Sequence, residues 1–255
     1  MSGKARKYCI EQNLIDFYLS FKDNPAVSFV ENKQLYSLKN QITAWPNYIF
    51  IKKNQEQDFG STLQLVTRHI TETNNGDFLL LDSETAFQHE NLLRQQSYFP
   101  VKLWTGMKLE TSEPFDLINS KLDIVSVYNT TRLLAWIKLV NEVFYNKELL
   151  TPELADKFLS HPNYTLYMGF VDKELATTCL VFDNDESIGL YYIATRAEHR
   201  KQGFAGNIVK TVLNNCIKKG KNKFVLHATK NAVGIYGKLG FTKHQGLITF
   251  AKKQL

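Results

Sequence analysis

Cysteine is scarce in this chain: Cys9, Cys179 and Cys216 are the only three in 255 residues. An odd, widely spaced set builds neither a disulfide framework nor a metal-ligand cluster, so a reducing, cytoplasmic setting is expected, with no metal site. No apolar run approaches the ~18 residues needed to cross a bilayer, which argues against a membrane role. The basic opening, Met1-Ser2-Gly3-Lys4-Ala5-Arg6-Lys7, is not followed by the apolar core of a secretion signal. Low-complexity tracts are absent. So is a strong excess of one charge: the net charge is only +6, and no nucleic-acid partner is expected from it. The densest basic cluster, Lys218, Lys219, Lys221 and Lys223, reads as a solvated helix end or as a contact to a ligand phosphate.

What is present is an ordinary globular composition, 44% hydrophobic and 22% charged. The polar, proline-containing stretch Glu110-Thr111-Ser112-Glu113-Pro114-Phe115-Asp116 is the best linker, and divides the chain into domains at 1–115 and 116–255. In the second, periodicity places a strand at 123–128 and a helix at 130–144. Thr151-Pro152 then opens a short helix, as N-cap and first helical residue. Strands follow at 164–171, 175–182 and 188–195, then a helix at 204–218, a strand at 224–227, a helix at 231–239 and a strand at 247–251. The fold class is therefore α/β with a mixed sheet containing an antiparallel meander. In the first domain helical periodicity covers 10–21 and 63–70, and strands are expected at 48–51, 78–81 and 101–109. Asn91 to Phe99, followed by a strand, parallels Ala232 to Phe241, followed by a strand. This weak internal repeat arises either by chance or because the halves are related folds.

The stretch from Tyr191 to Gly206 carries the chemistry. It joins a strand to a helix, and a helix N-terminus presents unpaired N–H donors and partial positive charge to an anion. Gly203, Ala205 and Gly206 let a phosphate approach those donors, and Arg200 orients the loop or pairs with a phosphate oxygen. The spacing is neither that of a dinucleotide fingerprint nor that of a nucleoside-triphosphate loop. It matches R-x-x-G-x-A, as Arg200-Lys201-Gln202-Gly203-Phe204-Ala205.

Here the sequence resembles the GNAT family of N-acetyltransferases, from Asp123 to the C-terminus. The Arg200 loop resembles the family's acetyl-CoA signature. The run from Leu226 through Tyr236-Gly237-Lys238-Leu239-Gly240-Phe241 resembles its second motif, a strand and then a helix ending in Tyr-x-x-x-Gly-Phe. The first half resembles the truncated copy found in tandem members; it lacks an R-x-x-G-x-A loop and has Arg94 where Tyr236 would align. The resemblance implies acetyl-CoA as donor and direct transfer to an amine of a small molecule or peptide in a ternary complex. It implies that the strand ending Ile193-Ala194-Thr195 splays from its neighbour at 224–227, and that the pantetheine arm bonds to the free backbone of Ile193 and Thr195. A backbone N–H near Ile193 or Ala194 would hold the thioester oxygen. Lys201, Gln202, Gly203, Phe204, Ala205 and Gly206 would complete the donor loop with Arg200. Tyr236 would give a proton to the departing thiolate.

Two positions depart from the family pattern. Thr229 stands where many members carry asparagine, and Asn231 lies two positions late; both are kept as donor contacts. The central strand holds no carboxylate to deprotonate the amine. Asp183, Asp185, Glu186 and Glu198 read as surface acids, leaving Glu142 and His227 as candidates. Trp136, Phe144, Tyr145, Tyr164 and Tyr167 read as core or as the wall of an acceptor pocket. A non-catalytic acyl-CoA-binding module is the alternative to an enzyme. The first half would close the acceptor site or form the face of a homodimer.

Overall fold

The computed structural model describes residues 3–52, 58–73, 78–117 and 121–253, with side chains from residue 10 onward. The first half contains α1 (Gly3–Leu19), β1 (Val27–Glu31), β2 (Leu35–Asn40), β3 (Asn47–Ile51), α2 (Phe59–Thr73), β4 (Phe78–Asp82), α3 (Ser83–Gln88), α4 (Glu90–Gln95) and β5 (Tyr98–Glu110). The second contains β6 (Asp123–Ser126), α5 (Thr130–Val140), α6 (Pro152–Ala155), α7 (Lys157–Ser160), β7 (Tyr164–Val171), β8 (Glu174–Asp183) and β9 (Ile188–Thr195). It ends with α8 (Phe204–Ile217), β10 (Lys223–Ala228), α9 (Val233–Gly237), β11 (Thr242–Lys243) and β12 (Leu247–Lys252). Asn129 caps α5 by accepting from the Arg132 N–H, and Asp82 caps α3 through the Thr85 N–H, the arrangement that short polar side chains favour.

The strands form one mixed, mostly antiparallel sheet in the order β1-β2-β3-β4-β12-β5-β10-β9-β8-β7-β6, with β11 on β5. Its two halves repeat one topology. An antiparallel meander (β1-β2-β3; β7-β8-β9) leads through a crossover helix (α2; α8) into a parallel strand (β4; β10). A short helix and an antiparallel strand follow. The closing strands are exchanged: β5 lies against β10 and β12 against β4, while β5 and β12 pair with each other. Neither half has a complete sheet without a strand of the other.

Helices α1 and α5 cover one face of the sheet and α2 and α8 the other. On the first face Leu14, Phe17, Tyr18 and Phe21 join Trp136, Ile137 and Val140 in one apolar core. On the second, α8 buries Ile208, Val209, Val212 and Leu213 against β7, β8 and β9, and α2 buries Leu63, Val66 and Ile70 against β3 and β4. Each such side chain contributes about 1.5–3 kcal/mol of transfer free energy. Helix α1 spans both halves, since Tyr18 packs on Tyr48 and Phe50 while Phe17 stacks on Tyr191 at 4.3 Å. The buried Asn13 fixes it in place. Its Nδ2 donates to the Ser187 carbonyl at 2.9 Å, and its Oδ1 accepts from the Tyr191 hydroxyl at 2.7 Å. A Cβ on Gly189 would come within 2.0 Å of that Oδ1, so the close approach of α1 requires glycine there.

Two elements differ from the sequence expectation in ways that shape the site. The helix expected over 130–144 ends at Val140 and widens into a π turn over Asn141–Tyr145. There the Asn141 side chain bonds the backbone of Leu150 through both its atoms. The helix expected over 231–239 is shorter, Val233–Gly237.

Candidate active site

Strands β9 and β10 run parallel, but they pair only over Phe224–Ile188, Val225–Gly189 and Leu226–Leu190. Beyond Leu190 they separate, so the expected opening is present. Its cause lies on the other edge of β9, where the register against β8 shifts between Thr178 and Leu180. Tyr192 occupies that shift with φ +47°, in the left-handed region. Such a bulge bends its strand and interrupts the inside–outside alternation. Tyr191 and Tyr192 consequently both pack into the core on the α1 face, while Ile193 returns to the α8 face. The Tyr192 and Ala194 carbonyls accept from the Thr178 and Thr177 hydroxyls on the β8 side. By alternation the backbone groups of Ile193 point into the opening. Thr195 is less free than expected: its carbonyl accepts from Arg200 Nε at 3.0 Å, because Arg200 folds back over its own loop.

The loop after β9 delivers α8 with its N-terminus open. Gly203 is the N-cap at φ +81° and provides no side-chain cap. The first intrahelical bond is from the Asn207 N–H to the Gly203 carbonyl, which leaves the N–H groups of Phe204, Ala205 and Gly206 without helical acceptors. A Cβ at Gly203 or at Gly206 would meet nothing within 4 Å. Phe204 is buried beneath this terminus, while Lys201 and Gln202 are exposed beside it. The equivalent helix of the first half is closed. Asp58 Oδ2 accepts from the Ser61 N–H at 2.9 Å, and these backbone bonds hold the Asp58 carboxyl below its usual range. An anion is therefore welcome at α8 and repelled at α2.

A cavity of about 170 Å³ passes through the opening. Leu190, Ile193, Leu226, Ala228, Thr229, Ala232 and Tyr236 line the end near α9. Asn231 is exposed and does not line it. Tyr236 is 6% exposed, and its ring meets Phe241 edge-on. Burial, then the nearby Cys179, raises its pKa, so the phenol stays protonated.

The other end is a chamber under α1, walled by Tyr18, Trp45, Tyr48, Trp104, Phe144, Tyr145 and Tyr192. The Tyr145 and Tyr192 hydroxyls are 3.2 Å apart, and burial raises the pKa of both. His227 faces the chamber with both ring nitrogens buried and without a hydrogen-bond partner among the described residues; burial lowers its pKa to about 4. No carboxylate lines the cavity among the described residues. Glu142 pairs instead with Arg196 at 3.4 Å, Asp183 with Lys221 at 2.7 Å, and Glu198 approaches Arg196 at 3.7 Å. Of the aromatic candidates Phe144 and Tyr145 reach the wall. Trp136 and Tyr164 are core on the α1 face, and Tyr167 is core on the α8 face.

The profile of the acetyltransferase (GNAT) domain family matches residues 125–252, just over half of the chain. The chain belongs to the GNAT acetyltransferase family. Solved GNAT structures share its fold over nearly all its length. A GCN5-related N-acetyltransferase from Kribbella flavida superposes with a TM-score of 0.71 at 12% identity, covering 95% of this chain and 96% of its own. One from Sphaerobacter thermophilus gives 0.65 at 13% identity, over 97% and 90%. A tandem GNAT protein from the clavulanic acid biosynthesis pathway gives 0.61 at 10% identity, over 89% and 83%. At these identities the likeness is one of fold. No curated protein shows significant sequence similarity to the chain. As in a tandem GNAT protein, the two halves here repeat one topology, and the first lacks the open helix N-terminus of the second, since Asp58 caps it; Arg94, expected to align with Tyr236, is exposed and paired with Glu90, whereas Tyr236 is buried.

The first half was expected to close the acceptor site or form a dimer face, but that α1, β3 and β5 supply walls was not identified, because no local pattern links them to β9. The adjacent Tyr191-Tyr192 pair was a usable signal. Two bulky aromatics in succession break strand alternation, and a bulge reconciles both with one core.

Proposed function

We propose that this protein is an N-acetyltransferase that moves an acetyl group from acetyl-CoA to a primary amine by direct transfer within a ternary complex. The observation that carries this reading is the parting of β9 from β10 directly beside the uncapped N-terminus of α8. The residues present suit the donor. The N–H groups of Phe204, Ala205 and Gly206 would receive a pyrophosphate, with Gly203 and Gly206 clear of side chains and Lys201, Gln202 and Arg200 at its flank. The cleft-facing backbone of Ile193 would bond the pantetheine arm, with Thr229 across the opening. Bound there, acetyl-CoA supplies a thioester carbonyl open to attack.

The chain's own groups then have distinct tasks. A backbone N–H at Ile193 or Ala194 stabilises charge on the thioester oxygen. As the C–N bond forms and the C–S bond breaks, Tyr236 donates its proton to the leaving thiolate. His227 is neutral at physiological pH and has no hydrogen-bond partner among the described residues; its lowered pKa suits it to relay the amine's proton on to water rather than to keep it. The wall of the acceptor chamber comes largely from residues 1–115, which gives that half its role, while 116–255 provides the donor site. The scarcity of cysteine, with Cys179 and Cys216 both free and buried, supports a cytoplasmic location. No helix among the described residues is long and apolar enough to cross a membrane.

The test is CoA release measured with and without added amines, for the wild type and for Tyr236→Phe. Release should depend on amine, and the variant should lose turnover while its affinity for acetyl-CoA is retained. Tight acetyl-CoA binding without release, across a broad amine panel, would favour a non-catalytic acyl-CoA-binding module instead.

A further inference from the structure

Lys102 is the only residue with a permanent charge that lines the cavity among the described residues, and nothing in the donor reading uses it. Strand β5 carries Lys102 and Trp104 two positions apart, so both side chains stand on the face that α1 covers. Lys102 Nζ lies 4.9 Å from the centre of the Trp104 ring. The residue is exposed where it lines the cavity, yet desolvation by the surrounding protein lowers its pKa. No carboxylate pairs with it among the described residues. The other polar groups of the chamber are phenols, two indoles and the neutral His227. The walls are aromatic, and the single cation is a partly desolvated ammonium without a counter-ion. Such a group gains most from an anion that the protein does not provide.

We infer that the acceptor is a small amine that also carries a carboxylate, which Lys102 binds at the chamber rim while the amine points towards His227 and the thioester. This rests on the acetyl-transfer reading and names the acceptor class for it. A carboxylate fits better than a phosphate, because one lysine balances one negative charge and a phosphate dianion would be left half-compensated. Size sets a second limit. A cavity of about 170 Å³ is close to one of ~150 Å³ that takes a single benzene ring. That volume includes the donor end, so the buried part of the acceptor is at most of one-ring size, and a folded protein surface does not enter. Among the described residues the chamber also has no carboxylate to hold an ammonium, so it selects through the acceptor's acid group rather than through its amine.

The test uses two matched pairs on the full chain: phenylalanine against phenethylamine, and para-aminomethylbenzoate against benzylamine. Binding is read from tryptophan fluorescence, since Trp45 and Trp104 line the chamber. The proteins are wild type, Lys102→Met and Lys102→Arg, and each is also melted with and without acetyl-CoA. A charge-assisted contact should favour the acid of at least one pair by roughly tenfold in the wild type. That preference should disappear in Lys102→Met and return in Lys102→Arg, with the acetyl-CoA shift the same in all three. Equal binding of acid and non-acid in both pairs, or a preference that survives Lys102→Met, would overturn the assignment. The two readings fail separately. An acetyl-CoA shift without acid preference removes the Lys102 role alone, and acid preference without an acetyl-CoA shift removes the donor reading alone.

Discussion

Gly206 should respond to substitution with opposite signs in stability and in donor binding. It is the third residue of α8, at a helical position where a Cβ would meet nothing within 4 Å. Alanine there removes the conformational freedom that glycine loses on folding and adds no clash. Gly206→Ala should then stabilise the free protein by about 0.5–1 kcal/mol, or raise its melting temperature by about 1–4 °C. The same methyl would stand over the N–H groups assigned to the pyrophosphate. Losing one charge-assisted hydrogen bond costs about 1.5–3 kcal/mol, so acetyl-CoA affinity should fall roughly tenfold or more. Differential scanning calorimetry of the free protein and isothermal titration with acetyl-CoA read the two effects independently. A variant that is stabilised and binds acetyl-CoA as tightly as the wild type would show that the glycine is not kept for a phosphate. The reasoning about the α8 terminus would then fail.

The remaining expectations concern other links of the same chain. His227 has a folded-state pKa of about 4, below its unfolded value, so the unfolded state binds more protons between those pH values. Its stabilising contribution is complete above about pH 6.5 and declines towards about pH 4, by on the order of 3 kcal/mol. The melting temperature of His227→Leu relative to the wild type should therefore rise as pH falls from 7 to 5; a constant difference would contradict a buried neutral imidazole. Gly189→Ala should destabilise the protein by a few kcal/mol, since its Cβ would overlap Asn13 Oδ1, and near wild-type unfolding in urea would refute the tight seat of α1. Residues 116–255 expressed alone should fail to give cooperative unfolding, because β10 loses its β5 neighbour and β12 loses both of its own. A sharp calorimetric transition for that fragment would overturn the interdependence of the halves.

Much of the second half was legible in the sequence because its signals are local. Apolar residues at Leu133, Trp136, Ile137 and Val140 follow a helical period, and all four are buried. Strand β9 was read with its observed bounds, and the Gly203 loop was placed correctly between strand and helix. The first half was read less fully. Strands β1 and β2 were missed, and β1 is a largely exposed edge strand whose burial does not alternate cleanly. Helix α3 was missed although Asp82 caps it. The exchange of β5 and β12 had no signature at all, since pairing across more than a hundred residues leaves no trace in local periodicity. The chamber was hidden for the same reason: its walls combine α1, β3, β5 and the π turn. Of the acids weighed from the sequence for the amine's proton, Glu142, Asp183 and Glu198 are engaged with arginine or lysine. The other candidate, His227, has no hydrogen-bond partner on either ring nitrogen among the described residues, an isolation that only the three-dimensional arrangement reveals.

The most direct test is the melting temperature of the wild type and of Gly203→Glu, each with and without acetyl-CoA. At a hundredfold excess over its dissociation constant, a ligand that binds the native state alone stabilises it by about 2.7 kcal/mol, or roughly 5–10 °C here. The account requires that shift in the wild type and its loss in Gly203→Glu, where a carboxylate would occupy the open N-terminus of α8. An unshifted wild type, or a shift of equal size in the variant, would contradict it.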